Sequence, residues 1–286
     1  MKQVLFNNTQ VAVLELDKLQ SGGNKYYKLK GNFTEANNQG FHTLLSFGGA
    51  WSNHIHALAQ MGFEQGFKTI GVIRGERPGV LSPTLVDAEN WGMQLEFVTR
   101  REYREKANPQ FLAGLKQNFG RFYLLPEGGT NSLAVEGCGE IVSEIQRHQE
   151  DFDLICLPVG TGGTIAGIAK ALPANKSVLG VVVLKGSGYL GSVIAELTGD
   201  TLNVDSSLNW ALNHDYHCGG YAKCPNSLKR FILDFEETHQ IPLDPVYNGK
   251  MLYGLSRMLA SGELDPDLKI VAVHTGGLQG RRGFDF

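Results

Sequence analysis

Cysteine is scarce in this 286-residue chain, with four in all: Cys138, Cys156, Cys218 and Cys224. None forms a C-x-x-C pair and none stands at zinc-finger spacing with histidine, so reduced structural cysteines and no metal centre are expected. Cys156 lies in an apolar run and reads as a small buried side chain, while Cys218 and Cys224 flank a glycine-rich segment. A basic excess is also missing. Net charge is -3 and the pI about 6.2, which gives nucleic acid or an anionic membrane no field to follow. No apolar run approaches the roughly 20 residues of a membrane span, and the N-terminus has no charged-then-apolar leader pattern. A cytoplasmic protein is therefore expected. Repeats, low-complexity tracts and long linkers are absent, as is a nucleophile-elbow motif that would support a serine hydrolase.

What is present is ordinary globular material, 42% hydrophobic and 19% charged, enough for one large or two medium domains. Glycine is abundant, at 36 residues, and clustered rather than spread, with clusters at 22–23, 48–49, 128–129, 160 with 162–163, 219–220 and 276–277. Short apolar runs predict strands over 11–16, 43–47, 69–73, 94–98, 122–125, 154–158, 178–183 and 270–274. Amphipathic stretches between them predict helices over 53–65, 135–147, 164–171 and 226–238. Strands alternating with helices indicate βαβ units and mostly parallel sheets, with ligand loops at the carboxyl ends of the strands. Four of the glycine pairs fall at such ends.

Three segments carry chemistry. In Ser21-Gly22-Gly23-Asn24-Lys25-Tyr26-Tyr27-Lys28-Leu29, two lysines three apart share a face if a helix starts here. Each ammonium disfavours the other, which pushes a lysine toward the neutral amine used in Schiff-base chemistry. The plain alternative is a solvated lysine pair. Val159-Gly160-Thr161-Gly162-Gly163-Thr164 follows a strand and opens a helix, where backbone N–H groups and threonine hydroxyls can cradle a phosphate. A dinucleotide fingerprint requires glycine where Ile165 stands, and no Walker lysine follows, so a single phosphate monoester fits better. Ser46-Phe47-Gly48-Gly49-Ala50-Trp51-Ser52-Asn53-His54 leads into a helix that Ser52 or Asn53 can cap; the functional alternative faces these groups toward a substrate carboxylate. Asp244-Pro245-Val246-Tyr247, the loop around Tyr221 and His274-Thr275-Gly276-Gly277 complete the polar inventory.

In order, G-G-N-K-x-x-K-L, G-G-x-x-S-N-H, the glycine-threonine loop, D-P-V-Y and H-T-G-G resemble the 1-aminocyclopropane-1-carboxylate (ACC) deaminase / D-cysteine desulfhydrase family. These are pyridoxal 5'-phosphate enzymes of the tryptophan-synthase-β fold, or fold type II. The match covers nearly the whole chain. The resemblance implies an α/β fold of two domains, a large one from residues 1–34 and 134–286 and a small one inserted over 35–133. It implies a homodimer acting on a small amino acid. Lys25 aligns with the Schiff-base lysine and Ser52 with the serine at the substrate. Asn53 would meet the cofactor's phenolic oxygen, residues Gly160, Thr161, Gly162, Gly163 and Thr164 its phosphate, and Tyr247 its ring. Trp51, His54 and Tyr221 fall at the substrate, and Lys28 lies near either Lys25 or the phosphate.

Two departures bear on the reaction. ACC deaminases carry a glutamate after the D-P-V-Y tyrosine, facing the pyridine nitrogen, where this chain has Asn248. They also carry leucine before the last glycine pair, where this chain has Thr275. A neutral group stabilises a protonated ring less than a carboxylate does. D-cysteine β-elimination, which has an α-hydrogen to remove and a good leaving group, is therefore expected over ACC ring opening. A non-catalytic binder and a nucleotide-dependent oxidoreductase are the remaining alternatives, opposed by Lys25 with Ser52 and by Ile165 respectively.

Overall fold

The computed structural model describes residues 1–200 and 209–286. Among the described residues, ten strands form two sheets. The larger sheet has the order β1-β2-β10-β7-β8-β9 and comprises β1 (Lys2–Phe6), β2 (Thr9–Glu15), β7 (Leu154–Val159), β8 (Ser177–Val182), β9 (Trp210–Asn213) and β10 (Ile270–His274). The smaller has the order β5-β4-β3-β6 and comprises β3 (Thr43–Gly48), β4 (Lys68–Arg74), β5 (Gln94–Val98) and β6 (Tyr123–Leu124). Every pairing is parallel except the β1–β2 hairpin.

The eight expected strands are all found, with ends moved by a residue or two. The strand expected over 11–16 stops at Glu15, because Leu16 opens a short helix, α1 (Leu16–Leu19). β1 and β9 were not expected from the sequence. β1 is joined to β2 through Asn7 and Asn8, both at positive φ (44° and 70°), a two-residue hairpin turn that asparagine tolerates.

The remaining helices are α2 (Asn24–Asn38), α3 (Asn53–Gln65), α4 (Pro83–Asn90), α5 (Arg100–Arg104), α6 (Pro109–Phe119), α7 (Ser132–His148), α8 (Gly163–Ala171), α9 (Leu190–Thr198), α10 (Asn226–His239) and α11 (Asn248–Ser261). α3 matches its expected span because both ends are signalled. The Ser52 hydroxyl accepts from the Ile55 N–H at 3.2 Å, and Gly66 closes the helix in the left-handed region.

α2 serves both cores. Tyr27 packs with the large-sheet cluster around Leu157 and Val273, whereas Leu29, Phe33 and Ala36 pack with the small-sheet cluster around Leu44 and Leu58. The boundary expected at residue 34 therefore falls inside a helix. α2 lies close against α7, where a side chain on Gly137 would run into the Tyr27 carbonyl.

In the large sheet β7 continues through α8 to β8 on one side, while β10 and β2 lie on the other. The chain thus diverges at the carboxyl ends of β10 and β7, the place where open α/β sheets bind ligands. Among the described residues, no helix is long and apolar enough to cross a membrane.

Candidate active site

A cavity of about 660 Å³ opens at that divergence, facing the carboxyl ends of the small sheet. Its size is within the range of small-molecule and cofactor sites. Lys25 lines it near the start of α2. The helix is docked by its first residues: the Asn24 N–H donates to the Thr275 carbonyl at 3.0 Å, and the Asn24 side chain donates to Thr164 Oγ1 at 3.0 Å. Gly23 at φ 56° makes this approach possible, since a Cβ there would collide with the Thr275 carbonyl. Burial first, and the Lys28 charge second, lower the Lys25 amine to about 7. The amine that the sequence suggested would be neutralised by its neighbour is thus neutralised more by its surroundings.

Lys28, one turn on, is 1% exposed. Its ammonium donates to the Gly128 carbonyl at 3.2 Å, to Thr130 Oγ1 at 3.0 Å and to Thr161 Oγ1 at 3.3 Å. All three partners are neutral, and burial lowers its pKa. Lys28 is therefore a buried amine set behind the Gly160–Thr164 loop rather than a solvated side chain.

That loop forms the cavity floor. Gly160, Thr161, Gly162 and Thr164 line it, with Gly162 in the left-handed region as the N-cap of α8. A helix N-terminus, two threonine hydroxyls and a lysine amine behind them make a donor set that fits a phosphate monoester. Gly163 is the one loop residue that does not line the cavity, because it is buried at the first position of α8 against Thr130 and Lys28. Tyr247 stands over the loop, its ring 3.4 Å from where a Cβ on Gly160 would sit, and burial raises its pKa.

Asn248 requires a correction. It is fully buried and does not line the cavity. Its Nδ2 donates to Asp244 Oδ2 at 2.7 Å and to the Gly276 carbonyl at 2.9 Å, while its Oδ1 accepts from the Thr275 N–H at 2.8 Å and hydroxyl at 3.2 Å. Every polar atom of the amide is spent inside the protein. Asp244 also accepts the N–H groups of Val246, Tyr247 and Asn248 at 2.9, 2.7 and 3.0 Å. Thr275 is the residue that reaches the cavity there, and Asn248 acts through it.

The opposite wall is the turn from β3 into α3. Trp51, Ser52, Asn53 and His54 all line the cavity. Ser52 caps α3 as an acceptor, which leaves its hydroxyl proton uncommitted. Asn53 accepts a hydrogen bond from Gln279, whose own oxygen is held by Thr84. His54 is buried, with Nε2 2.8 Å from Ser46 Oγ. Ser46 gives its proton to the Leu125 or Pro126 carbonyl, so Nε2 carries the hydrogen and Nδ1 is a bare acceptor. Nδ1 has no partner within the described protein. Burial, with Lys25 and Lys28 nearby, holds the imidazole pKa well below its usual value, so the ring is neutral. Tyr221 lines the cavity from the loop after β9.

Sequence reasoning missed Asn24, Arg74, Arg100, Glu127 and Tyr189, which also line the cavity. Asn24 adjoins the lysine motif, and Arg74 and Arg100 fall at or just beyond strand ends, a positional signal that was available.

Residues 9–276 match the family described as pyridoxal-phosphate dependent enzyme. A protein of Thermotoga maritima named as a putative 1-aminocyclopropane-1-carboxylate deaminase is 32% identical over 280 residues, covering 93% of this chain and 87% of its own length. A mitochondrial protein of Arabidopsis thaliana, named bifunctional D-cysteine desulfhydrase/1-aminocyclopropane-1-carboxylate deaminase, is 29% identical over 92% of this chain and 70% of its own length. A crystal structure described as an ACC deaminase homologue superposes with a TM-score of 0.81 at 26% identity, over 95% of this chain and 86% of that one.

Proposed function

The chain belongs to the pyridoxal-phosphate dependent enzymes, in the group that includes proteins named ACC deaminase and D-cysteine desulfhydrase, and from that premise we propose that it eliminates the β-substituent of a small amino acid, D-cysteine first among them. Pyruvate, hydrosulfide and ammonia would be the products. The cofactor, when bound, supplies the electron sink that makes the α-proton of an amino acid acidic.

The residues present fit this cofactor. The Gly160–Thr164 loop and Lys28 match its phosphate, Tyr247 its ring, Asn53 its phenolic oxygen and Lys25 its aldehyde carbon. A lysine amine lowered to about 7 is both a competent nucleophile and a base for an α-proton at neutral pH. Ser52 has a proton to donate at the N-terminus of α3, whose backbone N–H groups suit the substrate carboxylate. Neutral His54 adds no charge there and offers Nδ1 as an acceptor.

One observation carries the choice of substrate. At the end of the cavity assigned to the ring nitrogen stands Thr275, its hydroxyl donating to Asn248 Oδ1, and Asp244 behind Asn248 is occupied by four N–H donors. A hydroxyl stabilises a protonated ring less than a carboxylate would, which suits a substrate with a removable α-hydrogen and a good leaving group. ACC deamination to 2-oxobutyrate is the second reading, favoured by the name of the Thermotoga maritima relative.

The two readings separate when the holoenzyme is incubated with D-cysteine, L-cysteine and ACC and both keto acids are quantified alongside sulfide. Pyruvate with equimolar sulfide from D-cysteine is the expected result. 2-Oxobutyrate from ACC, with no sulfide from either cysteine, would overturn the choice.

A further inference from the structure

The functions assigned above leave two cations on the cavity wall unused. Arg74 ends β4 and Arg100 opens α5 just beyond β5. The two strands pair in parallel with Arg74 opposite Val98, and the Gly75 N–H donates to the Val98 carbonyl at 2.8 Å. Both arginines therefore rise from adjacent carboxyl ends of the small sheet, and both line the cavity at its solvent-exposed mouth.

Arg74 is directed at the substrate side rather than the phosphate loop. One of its guanidinium nitrogens lies 3.8 Å from where a Cβ on Gly49 would sit, in the turn that leads to Ser52. Its Cζ is 5.8 Å from the Tyr103 ring centroid, and its charge acts on the Tyr221 hydroxyl, pulling that pKa down against burial, which raises it.

Neither arginine has a carboxylate partner among the described residues. Glu127, the acid that lines the same cavity, is already engaged: it accepts from the Tyr103 hydroxyl at 2.8 Å and pairs with Lys106 at 3.2 Å. The wall thus carries a surplus of positive charge that neither a cofactor phosphate held by Lys28 nor an α-carboxylate at α3 consumes. A guanidinium fork matches carboxylate-like anions in geometry as well as charge.

We propose that Arg74, seconded by Arg100, selects amino-acid ligands that carry a second anionic group, a carboxylate or sulfonate, on the side chain. This rests on the reading that the cavity takes an α-amino acid against the bound cofactor. It adds to the proposed substrate class amino acids whose distal group is negative, and it gives ACC, a zwitterion with no second anionic group, no advantage from this wall.

Aspartate and asparagine test it, because they are nearly the same shape and differ by one charge. The holoenzyme is titrated with both enantiomers of each while the absorbance of the bound cofactor is followed. One enantiomer of aspartate should bind about tenfold or more tightly than the matching asparagine, with the preference shrinking as salt is added. In Arg74→Leu the ratio should fall to near one through loss of aspartate binding alone, and Arg100→Leu should reduce it by less. Equal affinities in the unmodified enzyme overturn the proposal. So does an Arg74→Leu variant that loses both ligands equally, since the guanidinium would then serve the shared α-carboxylate. If no amino acid perturbs the cofactor absorbance, the amino-acid reading itself fails and this proposal goes with it. An unchanged cofactor spectrum in each variant verifies that it has folded.

Discussion

On the large-sheet side of the cavity, a connected set of polar side chains is committed before any ligand arrives. Lys28 has three oxygen partners, Asn248 uses its whole amide, Asp244 accepts four N–H bonds, and Asn24 ties α2 to α8. On the small-sheet side several polar groups lack partners: buried His54 Nδ1 has none, the Ser52 proton is uncommitted, and Arg74 and Arg100 have no carboxylate among the described residues. A preorganised wall suits a group that is always the same, because its ordering cost is met once, on folding. An open wall suits a group that changes with each turnover. Under the proposed function, the contrast fits a cofactor held chiefly from the large-sheet side, with Asn53 reaching it from across the cavity, and substrate choice made chiefly on the small-sheet side.

The largest expected effect comes from removing Lys25, the cavity-lining lysine whose amine makes no hydrogen bond among the described residues. Lys25→Ala should lower kcat for keto-acid release by about 10³-fold or more, and after borohydride reduction the cofactor should no longer stay attached through denaturing gel filtration, as it should in the unmodified enzyme. Retained turnover would place the covalent and basic functions elsewhere and dissolve the contrast between the walls.

Next comes a variant that sets charge against the committed network. Asn248→Asp replaces the Nδ2 donor, 2.7 Å from Asp244 Oδ2, with a second carboxylate. Two buried like charges at that distance should destabilise the fold by about 2–4 kcal/mol, measured by urea denaturation at neutral pH, and acidification should restore part of it. A neutral result would mean that the wall is more adaptable than its hydrogen bonds imply.

The division between walls was only half legible in the sequence. Strand–helix alternation gave the parallel sheets because a buried parallel strand is a short apolar run, as in Leu154–Val159, and that signal is local. Lys25, Thr161 and Ser52 were legible because glycines beside them mark places where the backbone must turn or approach a ligand. Asn248 was misread as facing the ring because position in a motif says nothing about which way an amide points. Its orientation is fixed by Asp244 and Gly276, and Gly276 lies 28 residues away. β1 was missed because its residues 2–6 alternate too briefly to stand out from a loop. Arg74 and Arg100 were missed because exposed arginines at strand ends look like any solvated charge until the fold puts a cavity beside them.

The smallest effect separates the two causes that lower the Lys25 pKa. Loading of cofactor-free protein uses the neutral amine, so with a pKa of about 7 the rate should rise about tenfold between pH 6 and 8 and level off above. Folding stability should follow the same sign. Unfolded Lys25 titrates near 10.5 and folded Lys25 near 7, so between those values the unfolded chain holds more protons and stability rises with pH. Lys28→Met removes the neighbouring charge but leaves the burial. Because burial is the larger cause, the midpoint of the loading profile should move upward by only a fraction of its displacement from 10.5. A midpoint that returned most of the way would make the lysine pair, rather than the closed wall around it, the origin of the reactive amine. The cofactor side would then depend on one ammonium group instead of on packing.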